Sequence, residues 1–234
     1  MSIKQATENT VDRMFSVGAH FGLGRSRRHP TTSPFIFGTK NSTDIFDLEK
    51  TSDLLEKAKV FVSQLAKDGK TILFVGGKKE ASSSIKSAAQ SINMPYVDGR
   101  WIGGTITNFS QVRKRIERYE KLTSEREKGE LAKYTKRERM LIDKEIIALE
   151  SMFLGVVSLT KIPDALFIID PRHEKNAIKE SALKNIPVIA LASSDCNLRE
   201  VTYPIVGNDS ARSSIAFFVD EITSAYRSGK SANV

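Results

Sequence analysis

Residues 71–79 read TILFVGGKK, an unbroken apolar run that leads directly into a glycine turn and two lysines. Apolar runs without alternation are typical of parallel strands that are buried on both faces. A second run, PDALFIID at residues 163–170, has the same form and precedes a helical pattern. Because strands that alternate with helices favour a sheet between two helical layers, we expect an α/β fold with a parallel sheet and helices on both faces.

Shorter elements extend this pattern toward both ends of the chain. PFIFGT and DIFDL, at residues 34–39 and 44–48, predict two short strands with a turn at Lys40-Asn41-Ser42. Later in the chain, PVIALA and YPIV predict further strands, and apolar spacing predicts a closing helix from Arg212 to Arg227. Near the start, Thr10 is predicted to cap a short helix, followed by a glycine- and proline-rich loop.

The middle of the chain interrupts the α/β alternation. Residues 111–157 are charged and helical, with a weak point near Lys128-Gly129. Apolar residues recur at steps of three and four on both arms: Val112, Ile116 and Tyr119 on the first, and Ile142, Ile146, Leu149 and Phe153 on the second. This spacing predicts two helices packed as an antiparallel coiled-coil hairpin.

These patterns predict the domain organisation. Residues 1–110 and 158–230 together are expected to form one α/β domain, which includes an N-terminal loop region at 1–34. The segment 111–157 is expected to be an inserted hairpin, because neither arm has enough apolar residues for a core of its own. Residues 231–234 are predicted to be a tail.

The composition restricts the class of partner and of compartment. Lys and Arg number 36 against 28 Asp and Glu, which gives a formal net charge of +8. That balance favours a polyanionic partner, nucleic acid or an anionic membrane, although a basic enzyme has the same balance. The single cysteine, Cys196, cannot form a disulfide framework or a cysteine zinc ribbon. Without an apolar signal core or an apolar run of about 20 residues, the expected location is cytoplasmic, with no membrane partner.

Two loops carry candidate contacts to nucleic acid. No acidic residue occurs between Arg13 and Thr43, and this window contains Arg25, Arg27 and Arg28. Arg100 and Trp101 precede a glycine pair in RWIGGTITN, where Arg100 could pair with a phosphate and Trp101 could stack on a base. The alternative for Trp101 is burial beneath the helical arm.

Two further segments are basic. In the turn after residues 71–75, Lys78 lies where a helix N-terminus attracts anions, although the glycine spacing matches neither a P-loop nor GxGxxG. The first arm of the insertion has a cationic face suited to an RNA backbone. Its candidate phosphate partners are Arg113, Lys114, Arg115 and Arg118. The alternative is a solvated helix with i,i+4 ion pairs.

A catalytic or metal site is the competing hypothesis at the end of the 163–170 strand. Asp170 and His173, or His173 with Asp195 and Cys196, could form an acid/base pair or a metal site. No zinc spacing or hydrolase motif is present, and Asp170 could equally cap the next helix. We therefore expect no catalytic residue, metal or cofactor.

Taken together, these segments resemble the bacterial family of the small-subunit ribosomal protein numbered two. The matching stretches span nearly the whole chain in the family's order: GAHFG, PFIFGT, DLEKT, ILFVGGKK, MPYVDGRWIGGTITNF, PDALFIIDPRHE, IPVIAL and YPIVGNDSARSSI. The resemblance implies a Rossmann- or flavodoxin-like parallel sheet with a helical hairpin inserted. It also implies binding to small-subunit ribosomal RNA and neighbouring ribosomal proteins, and help in recruiting the mRNA-binding ribosomal protein numbered one. No cofactor, catalytic activity or small-molecule substrate comes with the family.

The expected function is therefore a structural role in the small ribosomal subunit, with positive side chains held against folded RNA. Two hypotheses compete with it. One is a Rossmann-like enzyme that uses Asp170 and His173, against which the missing phosphate fingerprint argues. The other is a coiled-coil adaptor that binds only proteins, which leaves the acid-free basic loop unexplained.

Overall fold

The computed structural model describes residues 3–231, with side chains described from residue 10 onward. The strands are β1 (Phe21–Gly24), β2 (Ile36–Lys40), β3 (Thr43–Phe46), β4 (Ile72–Val75), β5 (Tyr96–Val97), β6 (Ala165–Ile169), β7 (Val188–Ala192) and β8 (Tyr203–Val206). The helices are α1 (Ile3–Ser16), α2 (Leu48–Lys67), α3 (Lys79–Ser91), α4 (Phe109–Glu127), α5 (Lys136–Phe153), α6 (Lys175–Leu183) and α7 (Arg212–Ser231).

Five strands form the parallel sheet that the two apolar runs predict. Their order is β5-β4-β6-β7-β8, and every neighbouring pair is parallel. Because all residues of β4, β6 and β7 are buried, these strands need no polar face and read as continuous apolar sequence. The order reverses direction between β4 and β6, which is the position where open α/β sheets form a crevice.

Helices cover both faces of this sheet, as expected. Alternate strand residues such as Phe74 and Phe167 pack with α2, α3 and α7. Their neighbours Leu73 and Leu166 face the other way and pack with α6 and the sheet-proximal parts of α4 and α5. The period-two alternation of side chains therefore divides each buried strand between two cores.

The N-terminal region is more ordered than the predicted loop. The predicted pair of short strands is confirmed as β2 and β3, which join β1 in a three-stranded antiparallel sheet. The predicted short helix is wrong in extent, since α1 begins at Ile3 and Thr10 lies inside it. Met14 is fully buried and packs α1 against the main core. This packing stabilises a helix that has no clear capping signal in the sequence.

The insertion consists of two helices that contact each other. Its turn contains Gly129 at φ +74, and a Thr135–Glu138 capping box starts α5. Arg118 on α4 donates to Glu145 on α5, at 3.1 Å between Nε and Oε1. The buried residues belong largely to the predicted stripes: Val112, Ile116 and Leu122 on α4, and Ile146, Leu149 and Phe153 on α5.

The closing helix extends to Ser231, four residues past its predicted end at Arg227, and residues 232–234 of the predicted tail lie outside the described residues. No helix within residues 3–231 is both long and apolar enough to cross a bilayer.

Candidate nucleic-acid interface

The candidate residues in the loops lie at the carboxyl edge of the parallel sheet. The loops that follow β4, β5, β6, β7 and β8 all emerge there, because the strands are parallel. The N-terminal basic loop, which contains Arg25, Arg27 and Arg28, is hydrogen-bonded to the same edge. The backbone N–H of His29 donates to the Ser194 carbonyl at 2.8 Å. Thr32, fully buried, donates its hydroxyl to the same carbonyl at 2.9 Å. Two distant parts of the sequence thus share one surface.

A cationic groove lies between the N-terminal basic loop and the start of α6. It has a volume of about 570 Å³ and is lined by basic and polar side chains, among them Arg27, Arg28, Arg172, Lys175 and Lys179, with the acids Asp195 and Glu200. Arg172 donates to Asp195 at 2.6 Å. Across the described part of the chain, no salt bridge involves Arg27, Lys175 or Lys179, and all three are exposed. These three charges remain available to an anionic partner.

Sequence reasoning missed the α6 side of this groove. Arg172, Lys175 and Lys179 are spaced at i, i+3 and i+7, so they share one side of the α6 segment. This spacing is visible in the sequence, although Asp170 and His173 in the same segment point to a catalytic site instead. What the sequence did not show was that Arg27 lies across the groove from this face.

Arg28 is engaged in a different role from the one expected. Its Nε donates to Asp44 Oδ2 at 2.8 Å, and its Nη2 makes a second, shorter contact with the same carboxylate. The Asp44 side chain is fully buried, and hydrogen bonding from Arg28 lowers its pKa despite the cost of burial. Arg28 therefore neutralises a buried acid, which argues against the predicted phosphate contact.

The ammonium group of Lys78 is also paired, in this case with two carboxylates. Its Nζ lies 2.5 Å from Asp170 Oδ2 and 3.2 Å from Asp209 Oδ2. Burial lowers the pKa of Lys78, but the attraction of the two carboxylates outweighs burial and raises it. A lysine balanced by two acids offers little charge to a phosphate, which argues against the predicted phosphate contact of Lys78.

Trp101 is buried, which argues against base stacking and favours the alternative of burial. It is 5% exposed, and its Nε1 donates to Glu180 Oε1 at 3.0 Å. The same carboxylate accepts the backbone N–H groups of Gly104, Ile106 and Thr107. Glu180 therefore holds the loop between Arg100 and α4 in place. Nothing in the sequence around Glu180 marks it, because its partners are 73 to 79 residues away.

The basic face of α4 is only partly free. Arg113 pairs with Glu117 and Glu120 and donates to the Val157 carbonyl at 3.1 Å. Arg118 pairs with Glu145, which fits the alternative of a helix with ion pairs. Lys114 and Arg115 are exposed and take part in no salt bridge among the described residues. These two, together with the exposed Arg25 and Arg100, remain candidates for RNA contact.

The structure separates the residues of the proposed acid/base pair. His173 Nδ1 lies 2.8 Å from Glu174 Oε1, whereas Asp170 faces Lys78. Asp170 Oδ1 also accepts the backbone N–H groups of Arg172 and His173, so it caps the turn that leads to α6, as the alternative predicted.

Within the described part of the chain, Asp170, Cys196 and Asp209 form a group that could hold a metal ion. Each offers one ligand atom, and these atoms all lie within 4.8 Å of one another. The ammonium group of Lys78 already contacts both carboxylates. Burial and the nearby negative charges raise the pKa of the Cys196 thiol, which keeps it protonated. The donor set therefore favours an internal ion-pair cluster over metal binding.

We expect Cys196 to be protected from thiol reagents in the folded protein. The residue is 1% exposed, and its raised pKa suppresses the reactive thiolate. Modification by Ellman's reagent should be about a hundredfold slower in native buffer than in 8 M urea, which absorbance at 412 nm measures. Equal rates in both solvents would show that the carboxyl edge opens readily.

This chain is similar to known ribosomal proteins over almost its whole length. A family model described as Ribosomal protein S2 matches residues 14–229. The small ribosomal subunit protein uS2 of Coprothermobacter proteolyticus is 38% identical over 221 residues, which cover 94% of this chain and 82% of the relative. The uS2 protein of Helicobacter hepaticus is 38% identical over 224 residues, which cover 96% of this chain and 85% of the relative.

Proposed function

Because this chain belongs to the ribosomal protein S2 family, whose members are small-subunit ribosomal proteins and not enzymes, we propose that it binds small-subunit ribosomal RNA through the cationic groove. The observation that carries this proposal is the placement of Arg27, Lys175 and Lys179 around one groove with no competing ion pair in the described residues. Phosphate oxygens are the partners that such exposed cations favour, and charge neutralisation releases counterions from the RNA.

A second RNA contact is proposed on α4. Lys114 and Arg115 are neighbours on the first arm, and both are exposed and outside the ion pairs that occupy Arg113 and Arg118. Arg25 and Arg100 extend the contact from the loops at the carboxyl edge. These side chains position the protein on RNA shape, since phosphate contacts carry no base sequence directly.

The hairpin is proposed to be an antiparallel coiled coil inserted at residues 111–157 into a single α/β domain formed by 1–110 and 158–230. Buried residues at steps of three and four along α5, preceded by the partly buried Ile142, support this arrangement. The outward side of α5 exposes Met140, Leu141 and Ile147 by 50%, 55% and 62%. Exposed apolar side chains favour a protein neighbour over RNA, which supports contact with neighbouring ribosomal proteins. Recruitment of the mRNA-binding ribosomal protein numbered one is proposed from the family resemblance alone.

Charge reversal in the groove tests the proposal. We expect Arg27→Glu/Lys175→Glu/Lys179→Glu to lower occupancy of small subunits at least about tenfold in sucrose gradients, since three phosphate contacts become repulsive. The plot of log affinity for the ribosomal RNA against log salt should also become shallower, by about 2 for three lost contacts.

The matched control reverses three exposed lysines away from the groove: Lys57→Glu/Lys184→Glu/Lys230→Glu. It makes the same change in net charge. An equal loss of occupancy in the two triple variants would show that net charge, and not this groove, directs the protein to RNA.

A further inference from the structure

A second, smaller cleft lies at the point where the strand order reverses. It is bounded by the turn after β4 and the turn after β6, and has a volume of about 380 Å³. Its lining residues are Gly77, Arg100, Trp101, His173, Glu174 and Asn176. The volume lies near the lower end of the range for small-molecule sites, about 300–1,000 Å³. A crevice at this position in an open α/β sheet is the usual place for a ligand.

The floor of the cleft is preformed. Glu174 is 3% exposed, and its Oε1 accepts the backbone N–H of Gly77 at 3.2 Å and faces His173 Nδ1 at 2.8 Å. A Cβ atom at Gly77 would lie 2.6 Å from that carboxylate oxygen and 2.7 Å from the Gly99 carbonyl oxygen. Only glycine permits the backbone to come this close to Glu174 and Gly99, so Gly77 is required for the shape of the cleft.

The groups at the mouth of the cleft match the parts of one nucleotide. Arg100 is exposed and belongs to no salt bridge among the described residues, so its guanidinium can pair with a phosphate. The His173 side chain is 53% exposed and presents an imidazole ring on which a base can stack. Asn176 is exposed beside it, and its amide can both donate to and accept from a base edge.

We propose that this cleft binds a single unpaired nucleotide of the RNA that the adjoining groove holds by its phosphates. The inference rests on the proposed RNA binding and adds a site to it. The two cavities flank the same segment, since Arg172 and Lys175 line the groove while His173 and Asn176 line the cleft.

A free nucleotide fits this cleft less well than a nucleotide within RNA. Arg100 is the one Arg or Lys among the lining residues, and it stands with the carboxylate of Glu174. A terminal phosphate carries up to two charges, whereas a phosphodiester carries one and shares the groove's cations. The turn after β4 also lacks the glycine spacing that wraps the phosphates of free nucleotides.

Cross-linking in assembled small subunits tests the site. Subunits containing the full chain are irradiated at 254 nm, digested with nuclease and protease, and analysed by mass spectrometry. A nucleotide attached to Arg100, Trp101 or His173 itself, located within each peptide by its fragment ions, is the expected result. Absence of such adducts, with adducts present on peptides of the groove, would overturn the proposal while leaving RNA binding intact.

A blocked cleft provides the matched comparison. Asn176→Leu fills the mouth with a side chain that has no ring to stack on a base, and Gln90→Leu makes a matched amide-to-leucine change at an exposed position on α3. The first should reduce the cleft adducts at least tenfold while subunit occupancy stays within twofold, and the second should change neither. Asn176→Ala, which adds no bulk, should fold normally and lower the adduct yield in the same direction. Undiminished adducts in both Asn176 variants would exclude the cleft.

The source of the nucleotide is tested separately by calorimetry with AMP, GMP, CMP and UMP and the purified full chain. We expect no binding at 1 mM of any of them. Micromolar binding of a free nucleotide would overturn the assignment to RNA. Failure of the RNA-binding proposal itself is distinguishable, because it would appear as full occupancy in the groove triple variant.

Discussion

Lys78→Met should destabilise the fold by about 3–5 kcal/mol at pH 7.5, because it leaves two largely buried carboxylates without their counter-ion. The Asp170 and Asp209 side chains are 11% and 2% exposed, and Lys78 bridges them. Cys196 beside them is a protonated thiol and supplies no charge. Urea unfolding followed by circular dichroism measures the loss.

The pH dependence of this variant has a definite sign. Burial, together with the charge of Asp170, raises the pKa of Asp209 to about 6, although Lys78 opposes the shift. Since this value exceeds the unfolded value of about 3.9, Asp209 takes up a proton more readily in the folded state. Stability contributed by that proton is present at low pH and is lost as the pH rises through about 6. Removing Lys78 strengthens the effect, so the deficit should be largest above pH 6 and shrink toward pH 5.

Lys79→Met is the matched control, since Lys79 is exposed and has no salt bridge among the described residues. It should change stability by less than about 0.5 kcal/mol. If Lys78→Met were as stable as the parent protein, the ion cluster would be solvated in solution. Lys78 would then again be available to a phosphate.

Glu180→Gln should cost about 3 kcal/mol, because five donors surround this carboxylate and an amide can satisfy only some of them. The distances from Glu180 are 3.0 Å to Trp101 Nε1, 2.8 Å to Gly104 N, 3.0 Å to Ile106 N, and 3.0 and 3.1 Å to the N and Oγ1 of Thr107. The amide NH₂ group of the variant would face N–H groups that also need acceptors. Differential urea unfolding against the parent protein measures the cost.

The stabilisation by Glu180 should also depend on pH. Burial raises the pKa of this carboxyl, but the hydrogen bonds from Trp101 and the loop outweigh burial and lower it. A lowered folded pKa means that the contribution is complete above the unfolded value of about 4.3 and is lost as the pH falls below it. The difference between parent and variant should therefore be constant from pH 6 to 8 and decrease below pH 4.

Glu150→Gln makes the same chemical change at an exposed position on α5. It should leave the unfolding midpoint unchanged within about 0.5 kcal/mol. Similar losses for both glutamates would mean that the loop between Arg100 and α4 does not depend on its buried acceptor.

Much of the fold followed from local pattern. The unbroken apolar runs at β4 and β6, separated by helical periodicity, were sufficient to predict the parallel sheet and its two helical layers. A strand that is buried on both faces excludes polar residues along its whole length, so its burial can be predicted from the sequence. Along α4 and α5, apolar residues at steps of three and four lie on one side of each helix, and this pattern predicted that the two helices pair.

What the sequence by itself determined, then, was the class of fold, the excess of positive charge and the resemblance to a ribosomal family. Only the tertiary structure decided which charges are free. Arg28 and Lys78 looked like Arg27 and Lys175 in sequence, but buried acids from distant strands and loops occupy the first two. The physical reason is that a charge is neutralised by whatever lies within a few ångströms, and those neighbours come from residues far away along the chain.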